Sequence, residues 1–296
     1  MARRRPATVH GLCVVDKPAG VTSHDVVGML RRRFGERRIG HAGTLDPDAT
    51  GVLVAAVGMT TKLLRYVETT TKEYQGEVVL GSSTSTLDSS GEVLDTFDMS
   101  GVTVEHARRV VADQLTGVIH QIPPMVSAIR VDGRRLHELA REGIEIERKP
   151  RPVTIHQFDV DEGPEPGVLS IRVSCSSGTY IRTLADDLGR LLGGGAHLRN
   201  LRRTAVGPFV IADAGPPDEC ELLPVDTAVR GLPRIEVDAA TASLVANGRV
   251  LDRFPGSSGD GPWAVFGDAG VLLAVYESFR GAEVKPSVVL PTATAG

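Results

Sequence analysis

Aromatic residues make up only 4% of this 296-residue chain, and it has three cysteines. Cys13, Cys175 and Cys220 are far apart and odd in number, so they form neither a zinc-ligand spacing nor a disulfide framework. That pattern fits a reducing compartment. Long apolar runs are missing as well. The basic start, Met1 to His10, is followed by an apolar run from Leu12 to Val15 that stops at Asp16, too short for a signal peptide. Nothing reaches the ~20 apolar residues that a membrane span needs. A soluble, cytoplasmic protein without a membrane partner is therefore expected. An excess of one charge is absent too, since the formal net charge is −4. This gives no global sign of nucleic-acid binding, but it leaves room for a local basic face, because steering depends on where charge lies. Lysine is scarce, at five of the 33 basic residues. Arginine suits bidentate phosphate contacts, although genome base composition produces the same bias.

What is present reads as ordinary globular protein, 41% apolar and 24% charged. The length suggests about two domains of ~100–200 residues each. Arg3, Arg4 and Arg5 head a flexible tail covering residues 1–10. Gly11 to Val15 reads as a short buried strand, with a turn through Lys17 and Pro18 after it. Thr22 and Asp25 fit a capping box, and Val26, Val27, Leu30 and Phe34 trace one face of the helix that follows. Lys17, at the turn, is placed to touch phosphate, to pair with a carboxylate, or simply to sit in solvent.

Residues 38–51, Arg-Ile-Gly-His-Ala-Gly-Thr-Leu-Asp-Pro-Asp-Ala-Thr-Gly, fit no helix or strand period. Three glycines and Pro47 make the run a shaped loop that another chain can approach closely, with Asp46 pushed towards extended geometry by Pro47. An Asp-Pro turn of purely local purpose would look the same. Apolar frames on both sides, the second running from Val52 to Val57, make it the kind of loop that carries catalytic groups.

Further on, Lys62 to Val67 reads as a short helix and Lys72 to Leu80 as a strand with Tyr74 near its start. A strand tyrosine is either a core residue with its hydroxyl at the rim or a platform on which a base stacks. Ser82 to Gly91, which includes Asp88, reads as a mobile surface loop near a ligand. Thr103 caps a helix that ends before Gly117. Between residues 123 and 152 lies a proline-bounded insertion. It has seven basic residues from Arg130 to Arg151 against five acidic ones, and Leu136, Leu139 and Ala140 suggest a short helix within it. A salt-bridged hairpin and a lid over a polyanion explain it equally well.

Val153–Val160 and Val168–Cys175 read as paired strands. After them Ile181, Leu184, Ala185, Leu188 and Leu192 form the buried stripe of a helix. Arg182 sits in that helix's first turn, where the dipole disfavours a cation. A carboxylate partner would explain it, either Asp46 from the central loop or Asp186 one turn on. Arg199, Arg202 and Arg203 form a cluster that could line an anionic groove, and Val206–Val210 closes this part as a strand. Residues 213–233 connect to a β-rich end with strands at Ile235–Val237, Trp263–Phe266 and Val271–Tyr276, and a helix at Ala239–Ala246.

Four stretches, Gly11–Thr22, Gly40–Gly51, Lys72–Gly81 and Cys175–Gly189, together resemble the bacterial tRNA pseudouridine-55 synthase family. The resemblance covers about residues 11–210. It implies a mixed α/β fold, α+β-like, with a pseudouridine-synthase-like catalytic domain over residues 11–230, a long mixed sheet and a central cleft. It also implies that the 123–152 insertion grips RNA and that residues 234–292 form a small β-rich, PUA-like RNA-binding domain. The implied activity is isomerisation of uridine 55 in the T loop of tRNA, without cofactor or metal, by a protein expected to be monomeric and to bind the T stem-loop. By the same resemblance Asp46 is the catalytic aspartate, Tyr74 stacks on the target uracil and Arg182 pairs with the aspartate. His41 fills the space left by the flipped base, and Tyr180 and Leu201 wall the pocket. Lys17 and Arg202 join the expected substrate-binding set. Asp48, where a large apolar residue is usual, puts a second carboxylate near the first. A non-catalytic RNA-binding module, a glycosidic hydrolase using both carboxylates and a synthase acting on another RNA are the competing readings.

Overall fold

The structure is a computed structural model that describes residues 7–291, except 128, 129, 132, 133, 136–138, 140, 141 and 145. The tail arginines Arg3 to Arg5 and most of the short helix expected around Leu136 lie outside the described residues.

Strand β1 (Gly11–Lys17) runs antiparallel to β3 (Thr50–Val57), with Lys17 opposite Gly51. Between them in sequence come helix α1 (Ser23–Phe34) and a short strand β2 (Ile39–Ala42). The expected capping box is present: the Asp25 amide donates to the Thr22 hydroxyl at 3.0 Å, and the Thr22 amide donates to the Asp25 carboxylate at 2.9 Å. The helix ends at Gly35 with φ +62°. Residues 39–42, which looked aperiodic, pair with β3 from Ile39 opposite Val57 to Ala42 opposite Val54. Their two glycine-flanked, partly polar residues hide the strand in sequence, and only the partner reveals it.

Short helix α2 (Leu64–Glu68) leads to β4 (Lys72–Leu80). Residues 82–91 are not a loose loop, as expected from their composition. β5 (Ser82–Thr84) pairs with β6 (Val93–Thr96), and the Asp88 carboxylate gathers the Thr86 and Ser90 hydroxyls at 2.6 Å each. Helix α3 (Val104–Gln114) follows, capped by Thr103, then β7 (Gly117–Gln121). In the insertion, β8 (Arg130–Val131) pairs with β9 (Arg134–Arg135). β10 (Arg151–Glu162) and β11 (Val168–Cys175) pair antiparallel as expected, and α4 (Ile181–Leu191) follows.

The arginine cluster proves to be in a strand. β12 (Ala196–Val206) lies in the middle of the large sheet, and the short β13 (Phe209–Val210) folds back on it. Among the described residues the sheet has the order β1-β3-β12-β4-β11-β10-β7, with β2 beside β3 and β13 beside β12. All its pairings are antiparallel except β3 with β12. A charged, arginine-rich sequence gives a weak strand signal. Here each arginine is accounted for: Arg199 pairs with Glu77 and Glu165 and Arg202 with Asp16, each at 2.7 Å, while Arg203 donates to backbone carbonyls.

Alternation along β1 and β3 divides two cores. Cys13, Val15, Leu53, Ala55 and Val57 pack with α1, α3 and α4 on one face. Leu12, Val14, Val52, Val54 and Ala56 pack on the other with Leu63 and Val67 around α2 and with the C-terminal end of the chain. That end comprises β14 (Arg234–Glu236), α5 (Ala239–Ala246), β15 (Leu251–Asp252), β16 (Trp263–Phe266), β17 (Leu272–Ser278) and β18 (Glu283–Val289), whose strands are ordered β14-β16-β17-β18-β15. No helix of the described residues is long and apolar enough to cross a membrane.

Gly51 sits where β3 meets β12. It has φ +101°, and a Cβ there would lie 2.1 Å from the Arg203 carbonyl oxygen. Gly51→Ala is therefore expected to lower stability by about 3 kcal/mol or more, from backbone strain and overpacking together. Urea denaturation measures this.

Candidate active site

The loop from Gly43 to Pro47 is pinned from several sides. Ser23, at the start of α1, exchanges hydrogen bonds with Leu45: the Leu45 amide donates to its hydroxyl at 2.9 Å, and the hydroxyl donates to the Leu45 carbonyl at 3.1 Å. The Pro47 carbonyl accepts from the Gly20 amide at 3.0 Å and from the Lys17 ammonium at 2.8 Å. The Gly43 carbonyl accepts from the Arg203 guanidinium at 3.0 Å. Leu45 and Ala49 are buried in the core. Asp46 is thus presented by a rigid loop, with its side chain 40% exposed into a cleft of ≈ 710 Å³. The cleft is lined by this loop, α2, the start of β4 and the start of α4.

Arg182 crosses to Asp46 rather than to Asp186. Its Nε lies 2.9 Å from one carboxylate oxygen of Asp46, and a terminal nitrogen donates to the other at 3.1 Å. Asp186 takes Arg190 instead, at 2.9 Å. The Arg182 side chain is only 5% exposed, and its remaining donors are used: the carbonyls of Thr86 and Val126 each accept at 2.9 Å, and Asp88 lies 3.5 Å away. One guanidinium therefore ties the central loop to the β5–β6 hairpin and to the root of the insertion. It also explains a cation in the first turn of α4, where no side chain caps the helix. Burial pushes the Asp46 carboxyl above the ordinary aspartate range. The Arg182 charge pulls it back, and Asp88 pushes it up again.

Tyr74, Tyr180 and Leu201 line the same cleft. Tyr74 is nearly buried. Burial raises its phenol above the usual tyrosine range, and the Arg203 charge opposes this. Burial likewise raises Tyr180, whose backbone is clamped by Gln121: its amide donates to the Gln121 side-chain oxygen at 3.0 Å, and its carbonyl accepts from the Gln121 side-chain nitrogen at 3.2 Å. His41 lies on β2 beside the cleft rather than among its lining residues. Its ring is held below the usual histidine range by burial and then by Arg203, so it is neutral at pH 7.

Two residues of the expected substrate-binding set are held by partners outside the cleft. Lys17 is fully buried, and its ammonium donates to the carbonyls of Pro18, Val21 and Pro47 at 2.9, 2.6 and 2.8 Å. With all three donors used and no access to solvent, it props the loop from beneath and cannot reach a phosphate. Arg202 makes a two-pronged pair with Asp16, at 2.7 and 3.1 Å, and is not among the residues that line the cleft. Asp48 is exposed and does not line it either. Three residues outside the expected site set stand at the site. Asp88 pairs with Arg182, while Lys72 and Arg203 line the cleft floor. Nothing in the run of arginines distinguishes Arg203, fully buried, from its half-buried neighbours Arg199 and Arg202.

A family model described as "TruB family pseudouridylate synthase (N terminal domain)" matches residues 31–181. The chain belongs to the TruB family. Models for the tRNA pseudouridylate synthase B C-terminal domain and for the tRNA pseudouridine synthase II C-terminus match residues 182–227 and 232–291. Curated relatives named tRNA pseudouridine synthase B include one from Thermobifida fusca, 45% identical over 94% of this chain and 98% of that one. Another, from Streptomyces coelicolor, is 47% identical over 93% and 95%. Among solved structures, a chain of a Cbf5-Nop10-Gar1 complex superposes with a TM-score of 0.73 at 24% identity, covering 95% of this chain and 85% of that one. A chain of an H/ACA RNP bound to a substrate RNA containing 2′-deoxyuridine gives 0.70 at 22%, covering 96% and 86%. These two establish the fold, a pseudouridine-synthase-like mixed sheet, for this TruB chain.

Two outcomes follow from the charges. Arg182→Gln removes the main charge that opposes burial of Asp46, so its carboxyl rises further. An activity that needs the ionised form is lost as pH falls through that value, so the acid limb of the pH–rate profile should move to higher pH. The rate at neutral pH should fall by about 10²-fold or more. Lys17→Met should cost about 1–3 kcal/mol, because it leaves buried carbonyls unpaired, while the salt dependence of tRNA binding stays unchanged. Thermal melts and a binding titration over salt concentration test the pair of statements.

Proposed function

We propose that this chain converts uridine 55 in the T loop of tRNA to pseudouridine, acting in the cytoplasm as a monomer that holds the T stem-loop. That it is an isomerase acting on tRNA follows from its family and its tRNA pseudouridine synthase B relatives. The choice of uridine 55 and the roles of individual residues are the finer part of the reading. The observation that carries it is the pairing of Asp46 with Arg182 beside Tyr74, in a cleft whose ≈ 710 Å³ falls within the size range of small-ligand pockets.

The target base must leave its stack, which costs a few kcal/mol. Arginine and lysine contacts to phosphate offset that cost and make binding salt-dependent. His41, neutral and half-buried beside the cleft, fits the role of a wedge in the vacated place. The N1–C1′ bond then breaks, the uracil turns, and C5 joins C1′. Cleavage builds positive charge on the sugar, which a carboxylate stabilises or attacks. Attack at C1′, addition at C6 and removal of the C2′ proton all require Asp46 ionised, and Arg182 opposes the effect of burial. Tyr74 offers the detached uracil a face, and Tyr180 and Leu201 wall the pocket. The insertion, whose root is joined to Arg182 through Val126, is the part that grips RNA, and the C-terminal sheet is the PUA-type domain.

The test uses tRNA transcripts tritiated at uridine C5. Tritium release from a single T-loop site without free uracil is expected, and Asp46→Asn should abolish release while tRNA binding persists. Free uracil would identify a glycosidic hydrolase. Binding without either product would leave an RNA-binding module, and release from other RNAs a different substrate.

A further inference from the structure

Gln121 ends β7, the edge strand of the large sheet, and is 2% exposed. A buried primary amide is costly unless both of its ends are paired. Both ends of this one are spent on the main chain of a single residue. The Tyr180 amide donates to the side-chain oxygen at 3.0 Å, and the side-chain nitrogen donates to the Tyr180 carbonyl at 3.2 Å. One donor and one acceptor are what a neighbouring strand would offer. β7 itself stops here, and Pro123 and Pro124 just beyond it carry no amide hydrogen. Tyr180 in turn is the residue from which α4 starts. Its backbone is extended, with φ −100° and ψ 107°, and its side chain does not cap the helix. Its carbonyl also accepts from the Leu184 amide at 3.1 Å, the first bond of the helix. The clamp therefore sets the direction in which α4 leaves the turn. The same segment holds the helix a second time, where the Val126 carbonyl accepts from Arg182 at 2.9 Å. Arg148, from the far end of the insertion, donates to the Pro123 carbonyl at 3.1 Å and closes the root between them.

We propose that Gln121 is a positioning residue for the isomerisation: through the Tyr180 main chain it holds the Tyr180 wall of the cleft and sets the path along which Arg182 reaches Asp46. Tyr180 lines the cleft and Gln121 does not, so the amide acts through the residue it holds. Gln121 lies instead on a smaller hollow of ≈ 370 Å³ that Tyr180 also lines, with Pro123, Arg151, Ser177 and Gly178. Just past the clamp, Arg182 spends Nε and a terminal nitrogen on the Asp46 carboxylate, at 2.9 and 3.1 Å. A two-point contact of this kind tolerates little displacement, because hydrogen bonds weaken steeply away from their preferred length and angle. A shift of about 1 Å at the start of α4 is enough to cost about 10²-fold in rate. The clamp belongs to the root of the insertion. The segment expected to grip RNA and the pair expected to meet the nucleotide thus share one fixed reference.

The inference rests on the proposed reading of the site, and its test separates the two. Wild-type protein, Gln121→Met, Gln121→Glu, Arg182→Gln and the double variant Gln121→Met/Arg182→Gln are assayed in single turnover on tRNA across pH, with tRNA affinity measured alongside. A wild-type protein that makes no pseudouridine removes the underlying reading and this inference with it. With an active wild type, Gln121→Met, which keeps the volume and removes both hydrogen bonds, should slow turnover by about 10²-fold at unchanged tRNA affinity. Its acid limb should move to higher pH. With Arg182 displaced, less charge opposes burial of Asp46, while Asp88 and Lys17, the other charged groups acting on that carboxyl, are unaltered. In the double variant the limb should stand where Arg182→Gln alone puts it. If Gln121→Met fails to fold, Gln121→Glu, which keeps the acceptor for the Tyr180 amide, should show a smaller loss of the same kind. Turnover at the wild-type rate in a folded variant, an acid limb that stays in place, a loss confined to tRNA affinity, or a limb that moves further in the double variant would overturn the proposal.

Discussion

The contact between Arg182 and Asp46 governs the rest of this structure. Arg182 starts a helix that has no side-chain cap, in the position where helix electrostatics least favours a cation. It is stable there because five acceptors converge on it: two oxygens of Asp46, the carbonyls of Thr86 and Val126, and Asp88. They come from three connections between strands: Asp46 from the first, Thr86 and Asp88 from the second, Val126 from the third. One guanidinium thereby fixes the relative placement of the loop that carries Asp46, the β5–β6 hairpin and the base of the insertion. It also sets the electrostatics. A carboxylate in a cleft would drift towards its neutral form, and the adjacent cation opposes this, with part of its charge shared by Asp88.

A second layer of cations lies beneath the loop. Lys17 and Arg203 donate to the carbonyls of Pro47 and Gly43, the two ends of the segment that presents Asp46. Neither forms an ion pair among the described residues, and both are buried. Burial lowers the Lys17 ammonium to about 8, partly offset by Asp48 and Asp46, so the carboxylates above it help keep it charged. An irregular loop cannot satisfy its carbonyls with strand partners. Here long cationic side chains reach up from β1 and β12 to do so, and the loop gains the rigidity of the sheet without joining it. This is why Lys17 and Arg203 serve the site without Lys17 entering it.

Much of this was legible in the sequence. The capping box at Thr22, the buried strands, the stripe of α4 and the β-rich end each follow from a local period or a local hydrogen bond. The Arg182 contact was legible as a question, since an arginine at a helix start needs a partner. The choice between Asp46 and Asp186 needed tertiary distance. β12 was not legible as a strand, because three arginines in five residues carry no alternation of polarity. Each is neutralised or hidden by groups brought from elsewhere in the chain: Glu77, Glu165, Asp16 and the carbonyls of Val52 and Gly43. The same holds for Lys17, which a turn composition places in solvent and which the packing of loop on sheet encloses. β2 and the hairpin at residues 82–96 are strands by virtue of their partners.

The C-terminal sheet bears on the cleft through α2. One side of that helix places Leu63 and Val67 in the core shared with Phe266, Leu272, Val288 and Leu290, and Lys62 just before it donates to the Val289 carbonyl at 3.4 Å. Another part of α2, Arg65 and Glu68, forms wall of the cleft, and the Glu68 carbonyl holds Lys72 on its floor. A helix of five residues has too few internal hydrogen bonds to hold its own shape. Its position must come from what packs against it, which is β2 and β3 on one side and the core shared with the C-terminal sheet on another. The β-rich end therefore completes the core over the outer face of β1 and β3, and by steadying α2 it shapes a wall of the site.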